Sequence, residues 1–180
     1  MISGDFMGIV LTIDERVRAY GVFLGLAHIR KAMVMKHRAD ILEHSRRLVK
    51  NILLSFTHDR IKDHPILKAY RDFLLRLRID PSRKRPSNEA LIRRILSRKE
   101  FPLKNNIVDS ANIASVETLV PISIFDLSKV KGTLMLRFAY SNEIFIDITS
   151  KRAEKLSGKE IVLTDEDKVL HIPVSYTHLT

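Results

Sequence analysis

The hydrophobic period changes partway along the chain, and that change limits the fold more than any single motif. Between residues 38 and 119 apolar side chains recur at three and four residues. Ile41, Leu48, Val49, Ile52 and Phe56 mark one amphipathic helix. Ile66, Tyr70, Phe73, Leu74 and Leu77 mark a second after Pro65, and Leu91, Ile92, Ile95 and Leu96 a third. Asn106 to Leu119 reads as a loop entering a fourth. Past Gly132 the pattern alternates with period two: Thr133 to Ala139 and Glu143 to Ile148, then Glu160 to Leu163 and Val169 to Val174 about an acidic turn. Helices followed by strands predict an α+β fold with an antiparallel-rich sheet, not a doubly wound parallel one.

The first 36 residues are read as short strands and turns, at Ile9 to Ile13, Val22 to Leu26 and Met33 to Met35, with Gly4, Gly8, Gly21 and Gly25 between them. A length of 180 residues supports one substantial core. The expected organisation is an N-terminal stretch, 1–37, joined to a main domain, 38–180. The chain has no cysteine, which excludes disulfides, thiolate metal sites and cysteine nucleophiles. No apolar run reaches the ~18 residues of a membrane span, so the expectation is a cytoplasmic protein without a membrane partner.

Charge is the strongest pointer to a partner. The net formal charge is +10, and residues 28–104 alone hold 21 Lys/Arg against 8 Asp/Glu. Such a one-sided excess favours a polyanion, because each neutralised phosphate releases condensed counterions. It peaks at the loop Asp80-Pro81-Ser82-Arg83-Lys84-Arg85-Pro86 and the helix that follows. Ser87 suits an N-cap there, and Glu89 the positive end of the helix dipole. Arg83, Lys84, Arg85, Arg93, Arg94, Arg98 and Lys99 are the expected RNA-binding residues, read as phosphate contacts without DNA specificity. Salt bridges within the domain are the alternative for Arg93 or Arg94.

Enzyme signatures are sparse. No phosphate loop and no Ser/His/Asp pattern occurs at a recognisable spacing. His58, Asp59 and His64 lie close in sequence, but a chain with seven histidines produces such groupings by chance, so neither a metal nor a cofactor is expected. His28, His37 and His44 read as surface or satisfied polar residues. Asp109 and Asn112 either cap the fourth helix or, with Glu117, Ser123 and Asp126, line a polar pocket.

Taken in order, Asp80-Pro81, Arg85-Pro86-Ser87-x-Glu89-Ala90-Leu91-x-Arg93-Arg94, Asn106-x-Val108-Asp109-x-x-Asn112, Glu117, Pro121, Phe125-Asp126, Gly132, Arg137-x-Ala139, Glu143 and Asp165 resemble a known family. It is the tRNA-binding and editing (B three/four) domain of the phenylalanyl-tRNA synthetase β chain, and especially its free-standing relatives. The resemblance covers roughly residues 60 to 170. It implies a three-layer β/β/α arrangement, a link to tRNA, and Arg137 and Glu143 as further pocket candidates beside Asp109, Asn112, Glu117, Ser123 and Asp126. Departures bear on mechanism. Ser123 stands where the synthetases carry a histidine, Leu119 and Val120 replace a Gly-Gln pair, and the acidic residue of the synthetase site has no equivalent past Val174. The resemblance also implies that the chain is truncated at its C-terminus.

Three functions follow. The leading one is a stand-alone tRNA-binding domain. The alternatives are a hydrolase of mischarged aminoacyl-tRNA and a small-metabolite or peptide-binding module, with an amino-acid-sized ligand in the pocket around Asn112, Ser123 and Glu143. Aminoacylation is not expected.

Overall fold

The computed structural model describes residues 4–6, 9–36, 38–146 and 152–173. Helices and a mixed, mainly antiparallel sheet make an α+β protein. The chain divides into two compact units. One comprises 1–30, 77–79 and 125–173, and the other 31–76, 80–124 and 174–180.

The first unit carries the strands β1 (Gly4–Phe6), β2 (Ile9–Ile13), β3 (Leu134–Phe138), β4 (Ile144–Ile146), β5 (Ala153–Lys155), β6 (Ile161–Thr164) and β7 (Val169–His171), with the four-residue helix α1 (Glu15–Arg18). A five-stranded sheet runs β1-β2-β3-β6-β7, and β4 pairs with β5 in a second sheet. All neighbours are antiparallel except β2 and β3, which run parallel with Leu11 opposite Leu134. That pair joins the start of the chain to its final third. β6 is buried at every position because both its faces are covered, whereas the three residues of β4 alternate about the fully buried Phe145.

Gly132 ends the approach to β3 with a φ of +62°, where a Cβ would fall on the Glu166 carboxylate. That carboxylate accepts from the Thr133 amide at 3.1 Å, so a side chain at 132 would break this hydrogen bond as well as strain the backbone.

The second unit holds α2 (Ala39–Ser55), α3 (Pro65–Arg76), α4 (Ser87–Arg98) and α5 (Asn106–Thr118). Its core joins Leu48, Val49 and Ile52 of α2 to Leu67, Leu91, Ile92, Ile95, Ile113 and Val116. Fully burying a side chain such as Ile92 is worth ~2 kcal/mol, and a shared apolar seam of this kind stabilises helices too short to persist alone.

Several expectations change. Val22 to Leu26 and Met33 to Met35 are not strands: both stretches lie outside helix and sheet, and Phe23 is 93% exposed. Their β propensity finds no ladder partner among the described residues. The N-terminal strand β1 and the helix α1 were not anticipated. In α3 the buried positions are Leu67 and Leu74, with Leu77 just beyond, while Ile66 is exposed and Tyr70 and Phe73 are half-buried. The apolar face is thus rotated relative to the expected one. His37, residues 147 and 148 of the second expected strand, and Val174 at the end of the last fall outside the described residues.

Candidate nucleic-acid interface

The basic loop is shaped by its first residue. Asp80 accepts from the Ser82 amide at 2.8 Å and the Ser82 hydroxyl at 2.7 Å, and the Arg83 and Lys84 amides donate back to the Asp80 carbonyl at 3.1 and 2.9 Å. Those Ser82 hydrogen bonds hold the Asp80 carboxyl below the usual carboxylate range. Pro81 and Pro86 are buried and fix the two ends of the turn. The N-cap of α4 is Pro86, whose carbonyl accepts from Ala90 at 2.9 Å, so Ser87 is the first helical residue and is buried.

Glu89 lies in the first turn as expected, but it is fully buried and does not face solvent. Arg71 of α3 donates to both its oxygens, at 3.2 and 3.0 Å, and Arg93 of α4 donates at 2.8 Å. Arg93 also donates to the His58 carbonyl at 2.9 Å. Arg93 is therefore withdrawn from the expected RNA-binding set, because the buried carboxylate one turn earlier needs its charge. The salt-bridge alternative holds for Arg93.

The other six expected RNA-binding residues differ among themselves. Lys84 is half-buried and has a partner, and Arg83, with an 89% exposed side chain, stands 3.8 Å from Asp80. Arg85, Arg94, Arg98 and Lys99 are exposed and form no ion pair among the described residues. Arg94 and Arg98 are four apart on α4 and so neighbour each other on its surface. Lys99 ends the helix in the left-handed conformation, with φ 56°. On α2, Arg46, Arg47 and Lys50 are exposed as well, away from Leu48, Val49 and Ile52. The spacing of Arg46 and Lys50 against that core stripe was the sequence signal for them, and the denser loop overshadowed it. Altogether residues 31–76 and 80–124 hold 19 Lys/Arg against 10 Asp/Glu.

The pocket candidates divide between the units. Asp109, Asn112, Glu117 and Ser123 belong to the helical unit, and Asp126, Arg137 and Glu143 to the sheet unit. Most are engaged in holding local structure. The cap of α5 is Asn105, which accepts from Val108 at 3.0 Å. Neither Asp109 nor Asn112 is the cap, because both lie inside the helix. Asp109 is buried and accepts from the Lys104 amide at 2.7 Å. Glu117 meets the His44 ring nitrogen at 2.6 Å, joining α5 to α2 at a half-exposed position. Asp126 caps the turn Leu127–Lys129 through the Ser128 hydroxyl and amide, which hold its carboxyl low.

Arg137 and Glu143 form a two-pronged pair at 2.8 and 2.6 Å. The guanidinium also lies 4.2 Å from the centre of the Tyr140 ring, and the Tyr140 amide donates to Glu143 at 2.8 Å. Hydrogen bonding from Arg137 holds the Glu143 carboxyl below its ordinary range. Ser123 is exposed. Asn112 is buried, and its Nδ2 has no hydrogen-bond partner among the described residues. Leu119 adopts a left-handed φ of 57° at the C-cap of α5, and its carbonyl accepts from the buried Asn88 side chain. Among the described residues no three His, Cys, Asp or Glu side chains gather to hold a metal, and no helix is long and apolar enough to cross a membrane.

The elements define an α+β protein whose helical unit shows exposed cations that form no ion pair among the described residues, beside well-anchored polar motifs. Residues 69–175 match the family model of the B3/4 domain, and the chain belongs to that family, the domain found in the phenylalanyl-tRNA synthetase β chain. No curated protein matches the chain significantly.

Proposed function

We propose that this chain is a free-standing, cytoplasmic RNA-binding module of the B3/4 family whose ligand is tRNA. The observation that carries the reading is the set Arg85, Arg94, Arg98 and Lys99, exposed on one loop and helix without internal carboxylate partners among the described residues. Arginine and lysine left unpaired on a rigid helix are suited to phosphate oxygens, and family membership points the same way. Reversal of Arg85 and Arg94 to Glu is expected to weaken RNA binding across sequences. The salt dependence should flatten by about 1 in slope for each phosphate that is no longer neutralised. Unchanged affinity and slope in a titration from low to high salt would refute the reading.

A second reading, hydrolysis of mischarged aminoacyl-tRNA, is favoured by one observation. The Asn112 Nδ2, without a partner among the described residues, is a buried donor in α5, and such a group can orient an amino-acid-sized ligand. Incubation with total charged tRNA separates the two readings. Binding without release of amino acid above the spontaneous rate supports the first, and release that is abolished in Asn112→Leu supports the second.

A further inference from the structure

We infer that the RNA element held by the helical unit is a double-helical stem, gripped by its phosphates, and not an unpaired strand. This rests on the RNA-binding reading above and narrows it.

Proteins that take single strands set bases on exposed aromatic rings beside a basic groove. Among its described residues the helical unit supplies the cations but no exposed Phe or Tyr ring. Its described Phe and Tyr side chains are Phe56, Tyr70, Phe73 and Phe101, and none is exposed; the His58 ring is exposed, with its Nε2 3.5 Å from the Ser97 hydroxyl of α4. Phe101 is buried in the core. The Phe56 ring packs against the His64 imidazole at 5.5 Å, and the Arg76 guanidinium covers the Phe73 ring at 5.5 Å. Tyr70 is half-buried, and burial raises its hydroxyl pKa.

The cations lie on two helices. Arg94 and Arg98 are a turn apart on α4, and Arg46 and Lys50 a turn apart on α2. Both helices pack into the same apolar core, so the two arrays are fixed relative to each other. A fixed double array matches a rigid ligand of high, regular charge density. A flexible strand would lose entropy in spanning it and would find no Phe or Tyr ring exposed among the described residues to stack on.

The test uses two RNA probes at about 150 mM salt, near physiological ionic strength, a hairpin stem of roughly 20 base pairs and an unstructured strand of roughly 20 nucleotides. The intact protein is expected to bind the stem at least about fivefold more tightly. The doubly reversed variant Arg46→Glu/Lys50→Glu, at exposed positions that should leave the unfolding midpoint in place, is expected to bind the stem at least about tenfold more weakly. A smaller preference, a preference for the single strand, or unchanged stem binding by the variant overturns the inference while leaving RNA binding intact. Failure of both probes to bind overturns the RNA reading itself and this inference with it.

Discussion

A carboxylate with no exposed surface persists in a helix only if cations come to it, and Glu89 draws Arg71 from α3 and Arg93 from its own helix. Replacing it by Gln keeps the shape and removes the charge that both guanidinium groups answer. Breaking a buried pair in this way costs ~3–5 kcal/mol when the remaining charge is sealed from water. Arg71 and Arg93 keep 21% and 23% of their side-chain surface, so Glu89→Gln is expected near the lower end, about 3 kcal/mol. Denaturant titration at constant m-value checks it, and a loss below ~1 kcal/mol would mean that the two arginines find water without penalty. The sequence placed Glu89 correctly in a first turn but not in the core. Its partner on α3 is eighteen residues away, and no local pattern announces that two helices will close over a carboxylate. Leu119 teaches the same lesson. Its departure from the family's glycine was legible, whereas its left-handed backbone and the Asn88 hydrogen bond that holds it were not.

Elements of regular structure are tied to irregular ones by single side chains, and Asn106 is the clearest case. At the start of α5 it accepts from the Met35 amide at 2.7 Å, donates from Nδ2 to the Met33 carbonyl at 2.9 Å and donates from its own amide to the Met35 carbonyl at 2.9 Å. A segment outside helix and sheet is thus tied to one amide side chain. Asn106→Leu should strip two of the three bonds, at a cost of ~2 kcal/mol, and speed hydrogen exchange at the Met35 amide at least about tenfold. The Val108 amide, held by Asn105, should exchange as before; equal acceleration at both sites would mean that α5 itself had frayed.

The contrast explains which elements the sequence discloses. α2 and α4 each bury one stripe and were legible from period alone. α3 was placed correctly but turned wrongly, because Ile66 and Phe73 are as apolar as the residues that are buried. Met33 to Met35 has strand-like composition, yet its partner is a side chain 71 residues away. The parallel pairing of β2 with β3 depends on closure of a loop of about a hundred residues or more, which local periodicity does not encode.

Across the whole molecule, carboxylates that gain partners on folding set the response to acid. In the sheet unit, hydrogen bonds from Arg137 lower the Glu143 pKa despite its partial burial. Burial raises the pKa of Asp165, but amides of Asp167, Lys168 and Lys131 outweigh it and the net shift is downward. Both groups therefore stay ionised in the folded chain at pH values where the unfolded chain, with ordinary values of 4.5 and 3.8, has begun to bind the proton. There the unfolded state holds more protons, so their contribution is complete above about pH 5 and is lost as pH falls through the depressed folded values. The net charge of +10 works in the same direction, since protonating the remaining carboxylates adds to self-repulsion. The expected result is a stability plateau near neutrality that declines below about pH 4.5. Glu143→Gln with Asp165→Asn should be less stable than the natural sequence at about pH 7 and should lose stability less steeply between about pH 5 and 3. Urea unfolding midpoints at half-unit pH steps measure both slopes. Should the double variant fall as steeply as the natural protein, acid sensitivity would have to arise from general charge repulsion, and the two anchored carboxylates would not be its source.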